Sequence, residues 1–404
     1  MTLKTRFLDR TTPPHIVTLI LMSGLAALAM NIFLPSLPGM ALYFEADYRL
    51  MQLSVAIYLA VNAVFQILLG PLSDQLGRRP VVLGGMVIFL LATAGCALAQ
   101  SVWVFLFFRM MQATIVVGMV LSRAIVRDMV PVDRAASMIG YVTMGMAVVP
   151  MIGPAIGGLL DQAFGWQANF WLLLGLGVVV TWLAWTDLGE TAGRSGLSYR
   201  QQFSEYPVLF RSLRFWGYAG SAALTAGAFF AYLGGAPYVG DHVFGLTPAQ
   251  VGLYFGAPAI GYFAGNFITG RFSVRIGVNR MVLFGSIANA LGIALNLMVF
   301  YMGHGTAISF FGFMILMGLG NGMTIPNATA GALSVRPKLA GTASGLAGAL
   351  MIGGGAALSA LAGMWMTPEA GVFALLWIML ISALGAVVTI ILVMRRETRL
   401  WLNT

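Results

Sequence analysis

Twelve apolar runs of about twenty residues each set the terms for this chain. A helix of that length crosses the hydrocarbon core of a bilayer, since each residue adds ~1.5 Å and no backbone group can stay unpaired in lipid. The runs are read at 15–37, 50–70, 81–99, 102–124, 135–160 and 167–187, then at 213–236, 248–270, 279–302, 305–327, 338–364 and 370–394. Composition agrees: 59% of the 404 residues are hydrophobic and 9% are charged, against about 25% charge in a soluble domain. The runs are continuous rather than alternating, which argues against a β-barrel. Cys96 is the single cysteine, so no disulfide can form within the chain. The fold class expected is all-α and polytopic, with the lipid bilayer as its solvent.

A polar stretch near 188–212 divides the runs into two sets of six. The expected organisation is an N-terminal six-helix bundle over 1–190, a linker over 191–212 and a C-terminal six-helix bundle over 213–404. The formal charge is +9, but its cations are scattered in small groups, which points to membrane orientation and away from nucleic acid. Of the 22 lysines and arginines, 20 fall at the N-terminus, on even-numbered connections or the span ends beside them, or at the C-terminus; Arg49 and Arg109 are the others. The positive-inside rule therefore puts both termini in the cytoplasm. The first run follows Lys4, Arg6 and Arg10 and reads as a retained signal anchor, being too long for a cleaved leader.

The halves repeat each other at an offset of 200. Gly70-Pro-Leu-Ser-Asp-Gln-Leu-Gly77 aligns with Gly270-Arg-Phe-Ser-Val-Arg-Ile-Gly277. Upstream, Ser54, Tyr58, Asn62 and Gln66 recur at i+4 along the second span, and Tyr254, Pro258, Tyr262 and Asn266 hold the same line on the eighth. Four-residue spacing places each set on one helix face. Such side chains commonly bond a neighbouring helix; a matched pair of stripes also suits faces that meet across a central cavity.

The segment Gly70-Pro-Leu-Ser-Asp74-Gln75-Leu-Gly77-Arg78-Arg79-Pro80 reads as a connection that can hold two helices in one state and release them in another. Gly70 permits close approach and Gly77 a tight turn; Arg78 and Arg79 anchor the segment, and Asp74 sits near the positive end of the next helix. It resembles the signature loop of the major facilitator superfamily, with Gln75 where arginine is usual. The fifth span carries Gly153-Pro154-Ala-Ile-Gly157-Gly158, similar to the motif of that superfamily's drug-exporting antiporters, and glycines of the eighth span offer a facing surface. Arg109-Met-Met-Gln112 on the fourth span resembles the superfamily's fourth-span motif; Arg109 lies ~12 Å deep, where a cation needs a partner or a wet cavity. The charges of Ser122-Arg123-Ala-Ile-Val-Arg127-Asp128 end that span and are read as solvated or locked to the Asp74 segment.

In the first span, Ala29-Met30-Asn31-Ile32-Phe33-Leu34-Pro35-Ser-Leu-Pro38 resembles the bicyclomycin and chloramphenicol resistance exporters, in which Asn31 is normally an aspartate. All 13 acidic residues fall in loops or at span ends. Asparagine does not titrate near neutral pH, so the usual proton carrier is absent or displaced.

The resemblance implies twelve helices in two bundles around a pocket open alternately to each side. It implies export of small amphipathic, neutral compounds such as phenicols, driven by proton exchange. Asn31, Tyr58, Asn62, Arg109, Gln112, Tyr262, Asn266 and Asn321 are placed near the pocket, with Phe229, Phe230 and Tyr232 as aromatic walls. Gly70, Asp74, Gly77, Arg78, Arg79, Arg127, Asp128, Gly153, Pro154, Gly157 and Gly158 are the gating set. A second reading is a facilitator without proton coupling, which the missing acid favours. An intramembrane enzyme lacks a buried nucleophile and base, and a sensor would need an added domain. No cofactor or metal is expected, and the working unit expected is a monomer in a bacterial inner membrane.

Overall fold

A computed structural model of the chain describes residues 6–129, 152–191, 211–335, 340–365 and 371–402, with isolated positions at 142, 149 and 207. The elements are helices throughout these residues. In the first half they are α1 (Ile16–Asn31), α2 (Leu37–Tyr43), α3 (Tyr48–Leu76), α4 (Arg78–Leu98), α5 (Val102–Gln112) and α6 (Val116–Met129), then α7 (152–164) and α8 (Gln167–Asp187). The second half has α9 (Leu213–Tyr238), α10 (Pro248–Phe255), α11 (Ala257–Ile276), α12 (Val278–Tyr301), α13 (Ala307–Ser334), α14 (Ala340–Met364) and α15 (Gly371–Leu402).

Among the described residues, ten helices are long and apolar enough to cross a membrane. The interrupted pair α10–α11 and helix α7 fill the eighth and fifth places. The start of the fifth span and most of the 191–212 connection lie outside the described residues. A perimeter of exposed apolar side chains, including Leu91, Trp103, Phe107, Trp182, Phe263, Phe267, Ile381 and Val388, faces outward, as lipid-solvated helices require.

Several helices outrun their apolar stretches. The first span continues to Tyr43, after a break in which Leu34–Ser36 forms a 3-10 turn. Pro35 and Pro38 cause that break, because each lacks an N–H and clashes with the carbonyl four residues earlier. The segment read as a loop over 70–80 is also corrected. Helix α3 runs to Leu76 and α4 starts at Arg78, so the connection is Gly77 alone. At ~1.5 Å per residue the 29 residues of α3 exceed the ~30 Å apolar core, so the helix continues past the apolar stretch.

The repeat is visible in the backbone. Gly77 has φ 97° and ψ 150°, and its N–H donates to the Ser73 carbonyl at 3.0 Å. Gly277 has φ 88° and ψ 148°, with the same bond to Ser273 at 2.9 Å. That conformation is close to glycine-only and costs other residues about 1–3 kcal/mol. A Cβ at Gly77 would also meet the Glu190 carboxylate, whereas one at Gly277 meets nothing within 4 Å. Gly77→Ala is therefore expected to lower the apparent Tm of the purified protein more than Gly277→Ala does. Equal shifts would remove Glu190 from the account.

The halves meet along two seams. Helix α3 packs on α14, with Ala63 against Gly353 and Gln66 beside Gly348. Helix α7 crosses α10, where Gly158 lies against the Pro248 carbonyl and Gly252 against that of Pro154. Within the second half, Gly261 and Gly265 bring α11 onto the α13 backbone at Ile315, Leu319 and Gly322. Small residues suit such crossings because helices in lipid associate by close packing.

Candidate functional site

Because α1 stops at Asn31, its last carbonyls have no donor from the next turn. Arg109 supplies one: its Nη1 donates to the Ala29 carbonyl at 3.0 Å and also to Gln112 Oε1. Gln112 Nε2 donates to Thr93 Oγ1 at 2.9 Å, which in turn donates to the Phe89 carbonyl. The guanidinium carbon lies 4.3 Å from the centre of the Phe33 ring and 3.9 Å from that of Tyr58. A cation at a helix C-terminus is favoured by the helix dipole, and the two ring faces add cation–π attraction. Arg109 is 1% exposed, and no carboxylate faces it among the described residues. Its charge is thus compensated by a carbonyl, an amide and two rings drawn from α1, the turn after it, α3 and α5.

This cluster unites Tyr58, Arg109 and Gln112; Asn31 lies two residues beyond Ala29, whose carbonyl Arg109 bonds. The Tyr58 hydroxyl and Arg109 Nε within it, and Asn31 Oδ1 at the end of α1, are buried without a hydrogen-bond partner among the described residues. Asn31 uses its other end locally, Nδ2 donating to Ala27 O at 2.7 Å. Orphaned buried polar atoms cost about 1–3 kcal/mol each unless a further partner satisfies them.

The remaining candidates divide. Asn62 is buried and accepts from Gln66 Nε2 at 3.2 Å, while Tyr262 and Asn266 are half-buried on one face of α11. Neither stripe turns to the lipid side. Tyr232 is elsewhere, inside the second half, stacked on Phe255 at 4.9 Å and close to Phe310 and Phe311. Phe230 is buried beside Gly355, and Phe229, half-buried, sits 6.0 Å from it. Asn321 Oδ1 accepts from Asn289 Nδ2 at 3.0 Å between α12 and α13. A separate recess of about 400 Å³, lined by Tyr218, Gly277, Asn279, Arg280, Met394 and Glu397, opens in the second half away from the Arg109 cluster.

At the face that carries Gly77 and Gly277, here the basic face, carboxylates bind the turns. Glu190 accepts from the Arg78 N–H at 2.8 Å and the Arg79 N–H at 3.3 Å, the free amides at the start of α4. Arg78 Nε pairs with Asp128 at 3.0 Å, and Arg79 Nη2 donates to the Trp185 carbonyl. The second half has a counterpart: Glu397 accepts from Asn279 Nδ2, from Tyr218 and from Arg214, at 2.5, 3.2 and 2.6 Å. Asp187 is fully buried and accepts from the Leu8 and His15 N–H groups and from Thr18 Oγ1. The side chains of Asp74 and Arg127 and the surroundings of Gly70 lie outside the described residues.

The opposite face is sealed between the halves. Tyr48 Oη donates to the Gly234 carbonyl at 3.0 Å, its ring lies 4.9 Å from Tyr238, and Tyr238 stacks on His242 at 4.2 Å. Gln52 Nε2 donates to the carbonyl and hydroxyl of Ser359, both at 3.2 Å. The Gly158 and Gly252 crossing closes the other seam, while Gly157 and Gly153 pack on α1 at Ile32 and Leu28. Sequence reasoning missed Tyr48, Gln52, Ser359 and Glu190. A four-residue step from Tyr48 to Gln52 was the available signal for the first pair; nothing local marks Glu190, whose partners are 111 and 112 residues away.

Comparison with known proteins fits this architecture. The family model described as Major Facilitator Superfamily matches residues 19–243 and 226–404. A protein of Pseudomonas aeruginosa named chloramphenicol resistance protein is 33% identical over 325 residues, 79% of this chain and 76% of its own. Multidrug resistance protein D of Escherichia coli strain K12 is 31% identical over 373 residues, 88% of this chain and 89% of its own. Among solved structures, a peptide transporter crystallised with sulfate superposes with a TM-score of 0.80 at 13% identity, covering 98% of this chain and 97% of that one. With the family model matching both halves, the chain belongs to the major facilitator superfamily, a family of transporters.

Proposed function

We propose that this protein exports small amphipathic, neutral compounds of the phenicol type by alternating access, in exchange for protons. The observation that carries the reading is the buried cluster around Arg109, a cation held by a carbonyl, an amide and two rings beside an unpartnered phenol, with no carboxylate facing it among the described residues. A site with that balance favours neutral polar groups over cationic drugs. The relatives' names, chloramphenicol resistance protein and multidrug resistance protein D, support the export of drugs and the choice of phenicols. In this reading residues 1–190 and 213–404 are the two rocking bundles joined by 191–212. The basic face lies in the cytoplasm of a bacterial inner membrane with both termini, and the monomer is the working unit. The aromatic residues Phe229 and Phe230 flank the path, and the Gly77, Arg78, Arg79 and Asp128 ties form the inner gate opposite the Gly153, Pro154, Gly157 and Gly158 seam.

Asn31 favours a second reading, an uncoupled facilitator or metabolite exporter, because it cannot carry a proton near neutral pH. Reconstituted vesicles with an internal pH dye separate the two: substrate addition moves protons under exchange and leaves the dye flat otherwise. Export itself is tested by a drug-susceptibility panel in a pump-deficient bacterium. Expression is expected to raise resistance to chloramphenicol and not to lipophilic cations. Asn31→Asp places an acid within the cluster and is expected to add resistance to cationic drugs that depends on external pH. A panel with no change for any compound would overturn the export reading.

A further inference from the structure

We propose that the recess between α9, α12 and α15 seats the phosphate headgroup of an anionic phospholipid at the basic face. The inference rests on the membrane fold and goes beyond the export reading. Two lipid-facing stripes lead to this recess. On α12 the exposed side chains Leu291, Ile287 and Phe284 step by three or four residues towards Arg280, which is exposed and lines the recess. On α15 the exposed Ile381, Leu384, Val388 and Leu392 step in the same way towards Arg395 and Arg396. Both of these arginines are exposed, and they lie between Met394 and Glu397 of the lining. The two helices pack together, so three arginines stand where the apolar perimeter of one helix pair ends. An arginine in that position extends its charge to headgroup level.

The recess has the charge for a phosphate. Glu397 is the one carboxylate in its lining, and it is committed. Its Oε1 accepts from Arg214 Nη2 at 2.6 Å and from Tyr218 at 3.2 Å, and its Oε2 from Asn279 Nδ2 at 2.5 Å. With Arg214, Arg280, Arg395 and Arg396 around it, that carboxylate is outnumbered and the local charge is positive. The repeat adds a contrast. In the first half Glu190 holds the amides that open α4, whereas among the described residues no side chain caps α12 at Gly277. The start of α12 borders the recess at Val278 and Asn279, so its amides add to the arginines as phosphate donors.

Charge complementarity and the two stripes together select the occupant. A free anion would use the arginines and amides alone. A phospholipid also lays its acyl chains along Phe284, Leu291, Val388 and Leu392, a surface that faces lipid already. A zwitterionic headgroup would bring a second cation up to the arginines, which an anionic one does not. Basic pockets between membrane helices hold such headgroups for these reasons. A lipid seated here touches α9, α12 and α15 at once and braces the second half at the basic face.

The test uses the full chain in micelles loaded with equal amounts of phosphatidylglycerol and phosphatidylcholine of matched acyl chains, with retained lipid counted by native mass spectrometry. The wild type is expected to retain phosphatidylglycerol in excess, and Arg280→Gln to lower the ratio of the two lipids about fivefold. Arg396→Gln reads the site independently should Arg280→Gln fail to fold, and is expected to act in the same direction. Arg10→Gln, at an exposed arginine of the first half on the same face, should change nothing. Equal retention of the two lipids by the wild type, or an unchanged ratio in either variant of the recess, overturns the proposal. So does complete displacement of phosphatidylglycerol by equimolar inorganic phosphate, since the site would then recognise a free anion. The outcome is separable from the export reading: lipid selectivity lost at Arg280 without drug export sinks only that reading, and export by a protein indifferent to lipid sinks only this site.

Discussion

Arg109→Ala is expected to reduce drug export to background while the protein still inserts and stays monodisperse. The guanidinium is the common partner of Ala29, Gln112, Phe33 and Tyr58. Its removal leaves the Ala29 carbonyl and Gln112 Oε1 without their donor, at about 1–3 kcal/mol each, and deletes a desolvated cation–π sandwich of about 2 kcal/mol. Those losses fall where α1 is broken, so the expected consequence is a disordered site within an intact bundle. Arg109→Lys is not a conservative control, because an ammonium cannot lie flat between two rings and bond a carbonyl and an amide together. It should keep well under about a tenth of the export rate. Accumulation of labelled chloramphenicol in cells, beside membrane-fraction immunoblots, reads both quantities. Unimpaired export by Arg109→Ala would remove Arg109 from the site.

A comparable effect is expected at the opposite seam from Gly158→Val. A Cβ at Gly158 would overlap the Pro248 carbonyl and the Ala249 backbone, and the reciprocal position Gly252 meets Pro154 in the same way. Backbone cannot step aside as a flexible side chain does, so α7 and α10 must separate. Overpacking of this kind costs roughly 1–3 kcal/mol, which shifts a two-state equilibrium by about five- to 150-fold. The closed form is the one that loses, and the variant should populate forms open at this face. Accessibility of a cysteine placed at Ser359, in a background with Cys96→Ala, measures the shift: labelling by an impermeant maleimide should rise by that order. Gly312→Val is the control, since a Cβ there meets nothing within 4 Å. Equal labelling in Gly158→Val and the parent would mean the seam is not a gate.

Much of this was legible in the sequence because lipid simplifies the problem. Most span positions and the repeat at offset 200 follow from hydropathy and from Gly77 and Gly277, whose backbone angles agree within about 10°. The Gly158 and Gly252 crossing was readable for the same reason, since glycine runs at helical spacing have few other uses in a membrane. Helix ends were less readable. Hydropathy reports where lipid stops, not where the helix stops, and α3 therefore runs on to Leu76. Side-chain partners across long separations were not readable at all: Gln52 meets Ser359 from 307 residues away, and Glu190 caps α4 from 112. Tyr232, expected as an aromatic wall, stacks on Phe255 inside its own half, a partner 23 residues away that no local pattern marks.

The proposed transport requires one motion, the parting of two halves that are closed where Gln52 meets Ser359. Cysteines at both positions, with Cys96→Ala, can be joined by a short methanethiosulfonate cross-linker that reductant cleaves. Uptake of labelled chloramphenicol into inverted membrane vesicles is then followed before and after. Cross-linking is predicted to stop transport and reductant to restore it. Full transport by a completely cross-linked protein would contradict the rocking of the halves.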